Sequence, residues 1–268
     1  MSADNRAGLD AAYSGDGGTL GVFSTKVADY LASRPHYPAA LFDALHEIGV
    51  LAPGMVVADL GAGTGLLTRD LLARGCTVHA VEPNAEMRRA ADALLGGESG
   101  YASVEGTAEA TSLPDARVDL VTAAQAFHWF DVDAARAECL RILRRAGQVA
   151  LIWNDRLQGD RLHAAIDELF TRFGGEKKAA LTAHEDRARA ARFFGASAYR
   201  TIELPNAHRL DAAGFEALLF SRSYMPARAS EAGRAVRAGA AAAFETFAEG
   251  REVIVRYRTV AIVGRPGG

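Results

Sequence analysis

Residues 56–68 read VVADLGAGTGLLT, and this stretch decides the fold. We expect a buried strand that ends at Asp59 and a helix that begins at about Gly65. Between them, Gly61, Gly63 and Gly65 let the backbone turn tightly and approach a ligand closely, because glycine carries no Cβ. The N-terminus of the helix then faces the same turn, so the stretch predicts a strand–turn–helix unit with a binding site at its bend.

An acidic residue ends the next predicted strand. Glu82 follows Val81 and precedes Pro83, about 20 residues beyond Gly61, which is the spacing at which an acid beside such a turn binds a ribose. A carboxylate there can accept hydrogen bonds from both ribose hydroxyls. Glu82 is therefore the predicted ribose anchor.

Three ligands or roles fit this pattern. A nicotinamide dinucleotide uses the same geometry, but its fingerprint needs Gly or Ala at the sixth position, where this chain has Leu66. Asp59 would also repel a pyrophosphate, whereas the sulfonium and ammonium groups of S-adenosylmethionine would be attracted to it. A plain helix-capping turn would need only one glycine. The pattern therefore favours S-adenosylmethionine over the other two.

Short apolar runs alternate with helix-like sequence along the rest of the chain. They lie at residues 55–60, 77–81, 101–104, 118–123 and 148–153, and further strands are expected at 199–204 and 253–263. Such alternation predicts an α/β fold with helices on both faces of the sheet. We expect a seven-stranded, Rossmann-like, mostly parallel sheet whose last strand is antiparallel.

The domain organisation follows from the same pattern. Residues 1–22 are predicted to form a mobile tail, and residues 23–268 a single domain. A helical cap is expected as an insertion after the fifth strand, at about residues 156–198, where it would overhang the carboxyl ends of the strands.

Composition narrows the function classes. The 268 residues carry a formal net charge of -3, so we expect no nucleic-acid partner and no membrane partner. Cys76 and Cys139 form no metal or disulfide pattern, and the histidines show no paired ligand spacing, so no metal is predicted. The first twenty residues do not resemble a secretory signal, which predicts a cytoplasmic protein.

The chain resembles the class I S-adenosylmethionine-dependent methyltransferases, especially the branch of trans-aconitate methyltransferase-like small-molecule enzymes. The resemblance covers about residues 23–266. It is strongest in the loop at 59–65, at Glu82, in GTAEATSLP at 106–114 and in AQAFHWF at 124–130.

This resemblance implies further cofactor-binding residues. Thr107 and Ala108 would lie along the adenine, and Met87 would pack on its face, although an ordinary core methionine would look the same. Ala124, at the start of the AQAFHWF run, joins this set. Arg34, in an Arg-Pro-x-Tyr-Pro element, would pair with the carboxylate of the donor, or else lie on the surface between two helices.

The acceptor side of the predicted site centres on His128. It follows the fourth strand, at the edge where substrates approach in this fold, and is the candidate base; a packing role for this histidine is equally open. Its aromatic neighbours would form an apolar wall that holds a flat acceptor. The predicted substrate-pocket residues are Phe127, Trp129, Phe130, Tyr37, Ser223 and Tyr224.

We therefore expect direct in-line transfer of a methyl group to oxygen or nitrogen of a small organic molecule, with S-adenosylhomocysteine as the product. Two alternatives stay open: a tRNA- or protein-directed methyltransferase, and a non-catalytic S-adenosylmethionine-binding module. The chain is expected to be a monomer or a homodimer.

Overall fold

The structure, a computed structural model, describes residue 29 and residues 33–184 and 188–267, with the backbone alone for residues 180–184. The tail predicted at residues 1–22 lies outside the described residues. None of the helices in the described ranges combines the length and the apolar composition needed to cross a bilayer.

Seven strands form one sheet in the order β3-β2-β1-β4-β5-β7-β6. They are β1 (Val56–Leu60), β2 (Thr77–Val81), β3 (Tyr101–Val104), β4 (Val118–Ala124), β5 (Leu143–Arg156), β6 (Tyr199–Leu210) and β7 (Val253–Gly264). The pairs β1–β2, β1–β4, β2–β3 and β4–β5 are parallel. The last strands are antiparallel, which confirms the predicted Rossmann-like sheet.

The helices follow the predicted alternation. They are α1 (Ala39–Glu47), α2 (Leu66–Leu72), α3 (Ala85–Leu95), α4 (Val132–Ile142), α5 (Arg161–His184), α6 (Ala188–Phe194), α7 (Ala212–Phe220) and α8 (Glu231–Phe247). Helix α5 is kinked at Gly175, whose φ of 51° and ψ of -143° are not helical. The polar side chains of Asn84 and Asp131 cap α3 and α4 by accepting hydrogen bonds from first-turn N–H groups.

Two strands are longer than the sequence predicts. β5 begins at Leu143 rather than near residue 148, because residues 144–146 are exposed and give no apolar signal. β6 continues to Leu210 beyond the expected end at 204, with intermediate and exposed residues in alternation. An apolar-run criterion finds the buried part of a strand and misses its solvated extension.

The described residues divide into two compact units. The first, here called the helical unit, comprises residues 29, 33–35, 155–184 and 206–257, and the second, the sheet unit, comprises residues 36–154, 188–205 and 258–267. The two helices predicted as one cap insertion therefore fall in different units: α5 in the helical unit and α6 in the sheet unit.

The sheet unit has an apolar core on each face of its sheet. Successive β1 residues point to opposite faces, so that Val57 packs into one cluster with α1 and α2, and Ala58 into the other with α4 and α6. The helical unit has its own core, in which α5, α7 and α8 pack around Tyr257. The site residues described next lie at the carboxyl ends of β1, β2 and β4.

Candidate functional site

Asp59 is a buried carboxylate at the end of β1, with 1% of its surface exposed. Its two oxygens accept hydrogen bonds from the hydroxyls of Thr68, on α2, and Thr122, on β4, each at 2.8 Å. Burial raises the pKa of Asp59 to about 6, against these hydrogen bonds, and the nearby charge of Glu82 raises it further. A positive group beside Asp59 would therefore be strongly favoured.

Glu82 organises the glycine loop from the end of β2. One carboxylate oxygen accepts from the Gly63 N–H and the other from the Asn84 N–H, both at 2.9 Å. Burial raises the pKa of Glu82, while these two N–H donors and the charge of Arg88 lower it. A carboxylate can accept about four hydrogen bonds, so Glu82 retains acceptor capacity for ribose hydroxyls.

Four N–H groups of the glycine loop are bonded within the protein. Gly61 and Ala62 donate to the Val81 carbonyl at 2.8 and 3.2 Å, and Gly65 donates to the Ala62 carbonyl at 2.9 Å. Gly63 donates to Glu82. A pyrophosphate site needs such donors directed at the ligand. These four donors are therefore not directed at a pyrophosphate, which favours an uncharged ribose and a cationic donor over a dinucleotide.

Gly61 lets the loop pack directly against the segment after β4. With a φ of +66°, a Cβ on Gly61 would lie 2.7 Å from the Ala126 Cβ and 3.8 Å from the Phe130 ring. Only glycine accommodates this approach. The predicted cofactor loop and part of the predicted substrate wall are thus neighbours in the sheet unit.

The aromatic segment after β4 forms a short 3-10 turn, Phe127–Trp129. His128 is 8% exposed, and its ring centroid lies 5.1 Å from that of Trp129. Phe127 packs edge-on against Phe130 and is itself core, with 3% exposure. The chain enters this turn through Gln125, whose φ of +53° is unusual for a residue with a side chain.

Arg189 on α6 ties this turn in place. Its guanidinium donates to the carbonyls of His128 at 3.1 Å and Phe130 at 2.5 Å, and it lies 5.8 Å from the centroid of the Phe127 ring. Nothing in the sequence assigns this role to Arg189. The contact joins residues about 60 positions apart, and no local pattern encodes such a pairing.

The remaining predicted cofactor residues of the sheet unit are mostly buried. Met87, on α3, is 3% exposed and Ala108 is 4% exposed. The hydroxyl of Thr107 accepts from the N–H groups of Glu109 and Ala110 at 3.3 and 3.2 Å, which closes a tight turn. Ala124 is the last residue of β4. Their roles in cofactor binding stay predictions.

Four other predicted residues lie elsewhere in the fold. Tyr37 is buried in the core cluster that contains Val57, on the α1 side of the sheet. Arg34, Ser223 and Tyr224 belong to the helical unit. Their assignments to the donor carboxylate and to the acceptor pocket stay predictions.

Sequence reasoning missed Thr68 and Thr122 as partners of Asp59. One signal was present: Thr122 is a polar residue in the apolar run at 118–123, and a buried hydroxyl needs an acceptor. The pairing register places Thr122 directly opposite Asp59.

Sequence relatives of the chain are methyltransferases. The family profile described as a methyltransferase domain matches residues 58–151. An uncharacterized methyltransferase of Mycobacterium tuberculosis is 42% identical over 134 residues, 50% of this chain and 52% of that protein. A methyltransferase-like protein of Schizosaccharomyces pombe is 37% identical over 138 residues, 51% and 53% of the two chains. The chain thus spans about half the length of the curated relatives it matches.

Solved structures share the fold over a longer span. A candidate type II methyltransferase from Anaeromyxobacter dehalogenans has a TM-score of 0.60 and 26% identity, covering 87% of this chain and 97% of that one. Residues 58–151 thus resemble a class I methyltransferase domain, both in their match to the family profile and in the sheet order, the glycine loop and its two acids. The cofactor of this class is S-adenosylmethionine.

Gly61→Ala should disrupt the site more than a matched glycine substitution. Both Gly61→Ala and Gly54→Ala impose a positive φ on alanine, but the added Cβ meets Ala126 at 2.7 Å in the first and nothing within 4 Å in the second. We expect Gly61→Ala to lower the melting temperature further and to weaken S-adenosylhomocysteine binding in calorimetry. Equal losses in the two variants would contradict the role of close packing.

Glu82→Gln should loosen the loop, because a single amide oxygen cannot accept as the two carboxylate oxygens do from Gly63 and Asn84. An unsatisfied buried N–H costs about 1–3 kcal/mol of stability, and the amide also removes an acceptor oxygen for the ribose hydroxyls, so affinity for S-adenosylhomocysteine should fall roughly ten- to hundredfold. Glu86→Gln is the control, because Glu86 is exposed and pairs with Arg89. Wild-type affinity in Glu82→Gln would contradict the assignment of Glu82 to the cofactor site.

Proposed function

We propose that the protein transfers the methyl group of S-adenosylmethionine to oxygen or nitrogen of a small organic acceptor. The observation that carries the proposal is the pair of buried acids, Asp59 and Glu82, beside a loop in which four N–H groups are already bonded within the protein. Such a site favours a cation and a sugar and repels a phosphate.

Residues of the sheet unit would hold the donor. Glu82 would accept from the ribose hydroxyls while it keeps Gly63 in place, and Asp59 would stabilise the positive end by its charge. When bound, S-adenosylmethionine supplies an already activated methyl group. The chain therefore needs to align the acceptor and exclude water, and alignment alone can lower a barrier by roughly 7 to 11 kcal/mol.

The residues on the acceptor side of the site favour a small-molecule acceptor. The turn after β4 presents His128 among aromatic rings, held by Arg189 and packed near Gly61. An apolar, water-poor wall suits a compact organic acceptor. His128 would take the proton of an acceptor hydroxyl or N–H, a step worth about 10²- to 10⁴-fold in rate.

Asp59 should make donor binding depend on pH. Below a pKa of about 6 its carboxyl is neutral, and above it the carboxyl is charged. Affinity for S-adenosylmethionine, which carries a sulfonium, should therefore rise between pH 5 and pH 7.5. Affinity for S-adenosylhomocysteine, whose sulfur is uncharged, should rise less. Calorimetry with both ligands measures the difference, and Asp59→Asn should abolish it. Parallel pH profiles in the wild type would contradict a charge role for Asp59.

His128→Ala should lower turnover and leave S-adenosylhomocysteine affinity unchanged. The acceptor comes first from mass spectrometry of pooled metabolites incubated with donor and protein, where the product gains one methylene. His46→Ala is the matched control, because the His46 ring bonds the Leu51 carbonyl outside the proposed site. Full activity in His128→Ala would return this histidine to a packing role, and no mass gain in any pool would oppose a small-molecule acceptor.

A further inference from the structure

The chain leaves β4 through a residue in a strained backbone conformation. Gln125 directly follows Ala124, the last residue of β4, and has a φ of 53°. Such a conformation costs a residue with a side chain about 1–3 kcal/mol and persists only where the surrounding structure holds it. Glycine would adopt it freely, yet the chain has glutamine here. The strained residue lies two positions before the turn Phe127–Trp129, which contains His128.

Hydrogen bonds to β5 hold Gln125 in this conformation. Its backbone N–H donates to the Ile152 carbonyl at 2.9 Å, and its side-chain amide nitrogen donates to the Asn154 carbonyl at 3.1 Å. A carbonyl cannot donate, so the nitrogen of the amide rather than its oxygen must face it. Asn154 is fixed in turn, because its side-chain oxygen accepts from the buried Thr259 hydroxyl on β7 at 2.6 Å. The start of the turn is therefore anchored on β5 and β7.

Arg189 anchors the other end of the same turn. The two terminal nitrogens of its guanidinium donate separately, one to the His128 carbonyl and one to the Phe130 carbonyl. The helix that carries Arg189, α6, also packs on the turn through Phe193, whose ring meets Phe127 edge-on with 5.4 Å between centroids. All of these residues belong to the sheet unit. The backbone of His128 thus lies between two anchors that come from distant parts of the chain.

These contacts fix a backbone position at a cost in strain, which is typical of sites where one orientation matters for function. A misplacement of about 1 Å can lower the rate of a reaction a hundredfold. We propose that Gln125 and Arg189 are positioning residues that act together as one clamp on the turn, and that the clamp keeps His128 in place for methyl transfer. The inference rests on the proposed function, because it takes His128 as the base on the acceptor side.

The test removes each anchor by a substitution that preserves its other properties. Gln125→Met keeps the length of the side chain and the strained φ, but it loses the bond to Asn154. Arg189→Lys keeps the positive charge, but an ammonium cannot donate to two carbonyls with the fixed geometry of a guanidinium. A double variant combines the two substitutions.

The same two substitutions at neighbouring positions serve as controls. Gln148→Met lies on β5 near the opposite end of the β4–β5 pair. Arg192→Lys lies on α6, where Arg192 forms an exposed ion pair with Asp133 rather than bonds to the turn. Exposed ion pairs contribute little to stability, so both controls should behave as the wild type.

Three measurements report on the clamp: kcat for the acceptor found by mass spectrometry, S-adenosylhomocysteine affinity by calorimetry, and hydrogen exchange of the turn. The Trp129 and Phe130 N–H groups bond the Ala126 and Phe127 carbonyls at 2.9 and 3.1 Å, so their exchange reports the integrity of the turn. Each single variant should lower kcat roughly ten- to hundredfold and speed this exchange, with S-adenosylhomocysteine affinity unchanged. Because both anchors hold one segment, the double variant should lose little more than the weaker single variant.

Gln125→Gly separates positioning from stability. Glycine relieves the strain at a φ of 53° but also lacks the amide. This variant should therefore melt at a higher temperature than Gln125→Met and yet turn over no faster. Turnover that recovers along with the melting temperature would assign Gln125 to stability alone and overturn its positioning role.

Wild-type kcat in both single variants, losses that add in full in the double variant, or lower kcat without faster exchange of the turn would each overturn the clamp. Failure of the proposed function looks different. In that case neither the wild type nor any variant forms a methylated product, while the Trp129 and Phe130 amides still exchange faster in Gln125→Met and Arg189→Lys.

Discussion

The structure depends on two acids, Asp59 and Glu82, that lie almost out of water at the ends of neighbouring strands. Taking a carboxylate out of water is costly unless donors replace the lost solvent. Here the donors come from α2 and β4 for Asp59, and from the glycine loop and the start of α3 for Glu82. These hydrogen bonds therefore fix α2, β4, the glycine loop and the start of α3 around the two acids.

The same constraint separates this loop from phosphate-binding loops of similar sequence. Glycine-rich turns before a helix often direct their N–H groups at an anion. In this chain four N–H groups of the loop donate instead to the Val81 and Ala62 carbonyls and the Glu82 carboxylate. The glycines serve close packing, of which the contact between Gly61 and Ala126 is the clearest case. A shared motif thus supports different ligands according to where its donors point.

Each compact unit buries a polar group that is unfavourable for the stability of the unit. In the sheet unit, the Asp59 carboxyl has a pKa raised by burial, which is a cost to folding at neutral pH that a bound cation would offset. In the helical unit, Tyr257 buries a hydroxyl that has no hydrogen-bond partner among the described residues. Both features are unfavourable for stability alone, and proteins keep such groups where ligands bind.

The sequence by itself determined the α/β class, the parallel arrangement of strands β1 to β4, the glycine loop and the acid at the end of β2. These features follow from local periodicity and short spacings, which adjacent residues encode directly. The extended ends of β5 and β6 escaped prediction because their exposed residues carry no apolar pattern. Only the tertiary structure decided that Thr122 bonds Asp59 and that Arg189 holds the turn containing His128. Those pairings join distant residues, and their energy depends on burial and distance, which exist only once the chain has folded.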